Sequence, residues 1–182
     1  MRTGKVWRAH DKIVQKLQEA EIPYAIVGAI ALNEYGYERA TVDVDVLVTR
    51  EGLQEFKKRW LGRGYVEKFP GSRGIRDIEN GVDIDLVVAG DYPGDGKPKP
   101  VRFPDPQIAA RPGPRGNLLP LETAIELKLA SGISAPHRLR DLADVLELIR
   151  ICNLPVDFAE QLDESVREKF KELWAAAASA PE

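Results

Sequence analysis

Cysteine and methionine each occur once and histidine twice in the 182 residues, so several chemistries drop out at the start. A single thiol, Cys152, excludes an intramolecular disulfide, and its place beside Ile151 in an apolar helical stretch marks it as a packing residue. His10 and His137 stand far apart in the chain and show no metal-ligand spacing, so a histidine-based metal centre is not expected. Long apolar runs are also missing. The longest, Ala25 to Leu32, falls far short of the ~20 residues that cross a bilayer, and MRTGKVWRAH lacks the apolar run of a secretory segment. Cytoplasmic residence without membrane contact is the expectation. Charge of one sign is scarce too: 26 Lys and Arg against 29 Asp and Glu give a formal net charge of -3, without the basic surplus that binds nucleic acid indiscriminately. What remains, with 43% apolar and 30% charged residues, is an ordinary globular composition and enough chain for one compact unit.

The pattern of apolar residues then sets an order of elements. Val6, His10, Ile13, Val14 and Leu17 share one helical face, which predicts an amphipathic helix over about 6 to 20, ending before Pro23. Tyr24-Ala25-Ile26-Val27 reads as a short buried strand, Gly28 as a turn, and residues 29 to 35 as a helix. Residues 42 to 48 alternate and are rich in valine, which predicts a strand; Glu51 to Leu61 returns to helical spacing. A strand is expected from Tyr65 to Phe69, followed by a hairpin, residues 75 to 79 and 82 to 88, turning on Asn80-Gly81 with both positions at positive φ. Residues 89 to 117 are dense in proline and glycine and predict a long loop, with Val101-Arg102-Phe103 as a short edge strand. Leu121 to Ser131, Pro136 to Ile151 and Phe158 to Ala178 predict three helices, the last capped by Asp157. The fold class that satisfies this order is α+β: a mixed β-sheet packed by helices, with a core over 1 to 117 and a C-terminal helical block over 118 to 182.

Two carboxylate pairs stand out. On a strand, Asp43 and Asp45 point the same way with Cα atoms about 6.6 Å apart, and Asp83 and Asp85 repeat the arrangement. If the strands are neighbours, three or four carboxylates share one spot, where mutual repulsion favours a cation between them. Magnesium suits such a place because it takes few carboxylates and leaves positions for water and phosphate oxygens. A calcium loop starting at Asp43 fails, because Val48 and Gln54 stand where that loop needs Gly and Glu. Lys128 falls within the apolar stripe formed by Leu121, Ala124 and Ile125, so a purely solvated lysine is not expected there. Arg39 and Thr41 flank the first aspartate, within reach of a substrate. Arg138, Arg140, Asp141 and Asp144 read as surface pairs.

The stretch IPYAIVGAIALNEYGYERATVDVDVLVT resembles the opening of the polymerase-β-like nucleotidyltransferase superfamily, and within it the small AbiEii-type and minimal nucleotidyltransferases. GVDIDLVV resembles the strand that brings the third carboxylate, with Asp85 a better match than Asp83. LPLETAIELKLASG and HRLRDLADVLELIR are similar to the helices that follow the core in that group. The resemblance implies a nucleotidyltransferase fold and a magnesium- or manganese-dependent enzyme that moves a nucleoside monophosphate from a nucleoside triphosphate to an acceptor hydroxyl. Asp43, Asp45 and Asp85 would hold the metal, with Asp83 as the alternative third ligand. Gly28 would let the backbone approach the triphosphate and Lys128 would face its phosphates. Ala29 stands where the group usually has Gly or Ser, although its peptide N-H remains available to an anion. Acceptors in the resembling groups are small molecules such as antibiotics, RNA ends or proteins, some within toxin-antitoxin pairs. The alternative is a binding or antitoxin module that keeps the fold without turnover.

Overall fold

The computed structural model describes residues 4–179. Of these, the residues up to Glu34, Glu38–Ala89 and Pro104–Leu119 form one compact unit; Tyr35–Tyr37, Gly90–Phe103 and the residues from Pro120 onward form a second.

The first unit is built on a sheet of seven strands. Helix α1 (Lys5–Glu19) lays Ala9, Ile13, Val14 and Leu17 onto it, as the spacing predicts, and ends before the turn that enters β1 (Tyr24–Val27). Helix α2 (Gly28–Glu34) follows without a connecting loop. Next come β2 (Asp43–Val48) and α3 (Arg50–Trp60), whose start is capped by the Thr49 hydroxyl accepting from Gly52 N-H. Then β3 (Tyr65–Glu67), β4 (Gly74–Asp77) and β5 (Val82–Val88) complete one half of the sheet. The order across the sheet is β3-β4-β5-β2-β1-β7-β6, where β6 is Arg111–Gly113 and β7 is Gly116–Leu118. Strand β2 runs parallel to β5 and antiparallel to β1, while β7 runs parallel to β1. Val44, Val46 and Val48 of β2, with Val82, Ile84 and Leu86 of β5, face α1 and Phe56 of α3. This apolar layer fixes which way every alternate residue points.

Three local expectations change. The β4-β5 connection spans the four residues 78 to 81 instead of two, and Asn80 is not at positive φ; Gly81 is, at +64°. The cause is Asp77, which is fully buried and accepts from Glu79 N-H at 3.1 Å and Asn80 Nδ2 at 2.6 Å, so its carboxylate caps a wider turn. The proline-glycine segment contains a short helix, α4 (Pro106–Ala109), and the β6-β7 hairpin, whereas Val101–Phe103 is not a strand. Finally, Tyr65–Glu67 stops two residues short of Phe69, which lies 64% exposed beyond the strand end.

The second unit consists of helices. Helix α5 (Leu121–Ser134), a 3-10 turn at Pro136–Arg138, α6 (Leu139–Ile151), a 3-10 segment at Val156–Gln161 and α7 (Glu164–Ser179) follow in order. The expected last helix is thus broken at Leu162, and Asp163, not Asp157, caps α7 by accepting from Ser165 N-H at 2.9 Å. Helices α5 and α6 approach closely at Gly132, where a Cβ would meet Leu142 Cγ at 2.4 Å. Phe158 and Phe170 stack at 5.5 Å. Cys152 is half-buried, with Sγ donating to Tyr35 O at 3.6 Å, and burial raises its pKa, so the thiol belongs to the packing of this unit. Among the described residues no helix is long and apolar enough to cross a membrane.

Candidate active site on the acidic face of the sheet

The register of the parallel pair decides the geometry. Asp43 lies opposite Asp83 and Asp45 opposite Asp85, with Val44, Val46, Ile84 and Leu86 committed to the core face. All four carboxylates therefore emerge on the other face. Adjacent strands lie about 4.8 Å apart and alternate residues about 6.6 Å, so the four Cα atoms outline a patch no larger than a side chain. The neighbouring strands extend it into two rows. One row runs Gly74-Asp85-Asp45-Val27, the other Arg76-Asp83-Asp43.

Glycines flank the first row on both sides. Gly28 has φ +66°, and a Cβ there would meet Asp45 Oδ2 at 2.0 Å. The expected bare turn is thus required twice over, by its left-handed backbone and by the Asp45 carboxylate lying on it. At the other end, a Cβ on Gly74 would meet the Lys68 side chain at 2.6 Å and Asp85 Oδ1 at 2.9 Å. Thr41 holds Asp43: its hydroxyl donates to Asp43 Oδ1 at 2.7 Å, just ahead of the strand. The Arg39 carbonyl accepts from Asn33 Nδ2 at 3.2 Å, and the same amide reaches Ala29 O at 2.9 Å. One asparagine therefore ties the segment entering β2 to the start of α2. Ala29 itself is buried.

Four like charges in this space would repel, and Arg76 and Lys68 offset part of that charge. Arg76 donates to Asp83 at 2.6 Å, and Lys68 Nζ lies 3.5 Å from Asp83 and 3.7 Å from Asp85. The hydrogen bond from Arg76 holds the Asp83 carboxyl below its ordinary pKa, with Lys68 adding to the effect. Neither cation was expected from the sequence. Gly74 marks the close approach of the Lys68 stem, but the strand expected from the sequence began at residue 75 and left this glycine outside it.

The donor types and strand register suit a hard divalent cation, but the side chains do not close around one. Among the described residues no group of three or more His, Cys, Asp or Glu is arranged to hold a metal ion. Asp83 turns to Arg76, and the Lys68 ammonium lies beside Asp85.

Lys128 belongs to the second unit. It is inward, 13% exposed, and its ammonium bonds Asp141 at 2.9 Å and Asp144 at 2.8 Å. Asp141 also accepts from Ser131 at 2.6 Å and Arg138 at 2.8 Å. Burial alone would raise the Asp141 pKa, but Lys128, Ser131 and Arg138 outweigh it and hold the carboxyl below its usual range. The acids read from the sequence as surface pairs are thus buried and tied to the lysine.

With this geometry in place, known proteins can be set beside it. No family model matches the sequence, and no curated protein matches it significantly. Solved structures do match. A candidate nucleotidyltransferase from Thermotoga maritima is similar over 81% of this chain and 96% of its own, with a TM-score of 0.56 and 18% identity. A candidate nucleotidyltransferase from Helicobacter pylori is similar over 94% of this chain and 92% of its own, at 0.50 and 18%. The chain has a nucleotidyltransferase fold. The Helicobacter pylori protein JHP933 is also similar, over 96% of this chain and 88% of its own, at 0.50 and 18%. In this nucleotidyltransferase fold the mixed sheet and helices expected from the sequence are both present, and the acidic face lies on its two central parallel strands.

Proposed function

We propose that the chain is a nucleotidyltransferase of the polymerase-β-like superfamily, moving a nucleoside monophosphate from a nucleoside triphosphate to an acceptor hydroxyl with magnesium or manganese as cofactor. The observation that carries this reading is the in-register pairing of Asp43-Asp83 and Asp45-Asp85 on one exposed face, with Asp45 laid over the bare Gly28 turn. Asp43, Asp45 and Asp85 are the residues that would hold the ion, and Thr41 orients the first of them. A bound ion would supply charge neutralisation at the phosphates. In the transfer itself, the acceptor oxygen forms a bond to the α-phosphorus, the bond from that phosphorus to pyrophosphate breaks, and pyrophosphate departs with the electron pair. Asp85, with a side chain 47% exposed, is the proposed base for the acceptor proton. Lys128 is proposed as a phosphate ligand by resemblance, and a phosphate would have to compete there with Asp141 and Asp144. Arg39, Thr41, Gly28 and Ala29 border the acidic face in sequence and complete the proposed substrate-binding set. A small molecule, an RNA end or a protein is the acceptor; a toxin-antitoxin or resistance role, an antitoxin partner and membership of the AbiEii-type group belong to the same proposal.

A second reading, a binding or antitoxin module that keeps the fold without turnover, draws support from the open arrangement of the carboxylates and from Ala29 in the turn. Transfer of labelled monophosphate from each of the four triphosphates to acceptors in a cell lysate separates the two. Asp43→Asn and Asp45→Asn are expected to lower labelling by at least about a thousandfold. Triphosphate binding by titration without any labelled product selects the second reading, and no binding of any triphosphate removes the enzyme reading.

A further inference from the structure

Lys68 is held over the acidic face by construction. It follows β3 directly, and its N-H donates to Gly74 O at 3.0 Å, continuing the β3-β4 ladder by one residue. That step turns its side chain onto the face that carries the aspartates. The stem then crosses Gly74, the position opposite Asp85, where any Cβ would meet the stem at 2.6 Å. Gly74 has no positive φ, so its backbone does not call for glycine; the lysine stem and Asp85 do. The segment around Lys68 is also braced. Glu67 accepts from Gly71 N-H at 3.0 Å and from Lys57 at 2.7 Å, Lys57 donates to Ser72 O, and Ser72 Oγ accepts from Gly74 N-H at 2.9 Å. The ammonium ends 3.5 Å from Asp83 and 3.7 Å from Asp85, too long for strong hydrogen bonds, and the lysine side chain is 36% exposed, as a displaceable counterion requires.

We propose that Lys68 is a tethered stand-in cation: it neutralises Asp83 and Asp85 in the resting protein, opposes divalent-ion entry beside Asp85, and withdraws when ion and triphosphate arrive together. This inference rests on the proposed nucleotidyltransferase reading, and it accounts for carboxylates that suit a divalent ion in type and register yet do not close around one. With the lysine in place, the resting face attracts a free divalent ion less strongly than four bare carboxylates would. A metal-triphosphate complex brings negative charge of its own, which gives the displaced ammonium a new partner within the reach of its four-carbon stem. Metal and nucleotide therefore bind with positive coupling, each favouring the other by the same factor.

The test measures manganese binding by electron paramagnetic resonance on the full chain, without nucleotide and again with a non-hydrolysable triphosphate. Lys68→Gln is expected to bind free manganese about three- to tenfold more tightly than wild type, the gain from removing a screened positive charge near a divalent ion. The same variant is expected to bind triphosphate more weakly and to lose most of the coupling. Lys68→Arg keeps the charge and is expected to behave like wild type. Adding Asp45→Asn to Lys68→Gln is expected to abolish the gain, which places the ion at this face. Equal manganese affinity in wild type and Lys68→Gln overturns the stand-in role and leaves the nucleotidyltransferase reading intact. No manganese binding by any variant, with or without triphosphate, overturns both.

Discussion

Replacing Gly28 by alanine tests the centre of the acidic face with a number that follows from the structure. Two costs add. An alanine at φ +66° costs about 1 kcal/mol or somewhat more, because its Cβ crowds the carbonyl in the left-handed region. The new Cβ would also stand 2.0 Å from Asp45 Oδ2 and 2.9 Å from Asp45 Cγ, so the carboxylate must leave its rotamer or the turn must shift, at a further cost of about 1 kcal/mol. The expected loss is roughly 2 to 3 kcal/mol, or about 5 to 10 °C in melting temperature for a chain of this size. In an Asp45→Ala background the oxygen and Cγ are gone and only the tight Cβ contact at 3.0 Å remains, so Gly28→Ala is expected to cost the backbone term and a smaller steric one. Urea midpoints of the wild type, both single variants and the double variant then give a coupling of about 1 kcal/mol. Additivity within about 0.3 kcal/mol would show that Asp45 does not lie over this turn and would undo the geometry argued for the site.

Lys128→Met leaves Asp141 and Asp144, the latter with a side chain 2% exposed, without their shared cation, and is expected to destabilise the protein by about 3 kcal/mol in urea unfolding; an unchanged midpoint would refute the buried network. Asp77 and Asp141 both have folded pKa values below the ordinary 3.8, Asp77 because Lys12 and Asn80 outweigh the effect of its burial. The unfolded chain therefore binds their protons first, so their stabilisation is complete above about pH 5 and is lost as pH falls through about 4 and lower. Melting temperature should drop across that window, and Asp77→Asn should flatten the drop; equal slopes would refute the assignment.

Alternation of valine and aspartate made β2 and β5 readable, because a strand with one face in the core must send every second residue the other way. The same alternation placed Asp43, Asp45, Asp83 and Asp85 on common faces of their strands. Which strands are neighbours was left as a condition, since no local feature specifies that β2 pairs with β5 in parallel. The β6-β7 hairpin was hidden because proline and glycine argue against strands, yet Pro112 sits on the outermost strand, where no ladder bond is lost. Lys128 was correctly read as inward from its helical stripe. Its partners lie 13 and 16 residues further on, beyond any helical periodicity, and so passed for surface charges. Lys68 and Arg76 became visible only once the strands were laid side by side.

The middle position of β2 has one more effect. With β5 bonded along one edge and β1 along the other, and Val46, Leu47 and Val48 wholly enclosed, this strand has no freedom to slide. A shift by a single residue would exchange valines for carboxylates in the interior, an exchange the fold cannot survive. Amide protons of Val44 to Val48 should therefore be among the slowest in the chain to exchange, opening only with global unfolding. Acid spacing and fold integrity are thus one constraint.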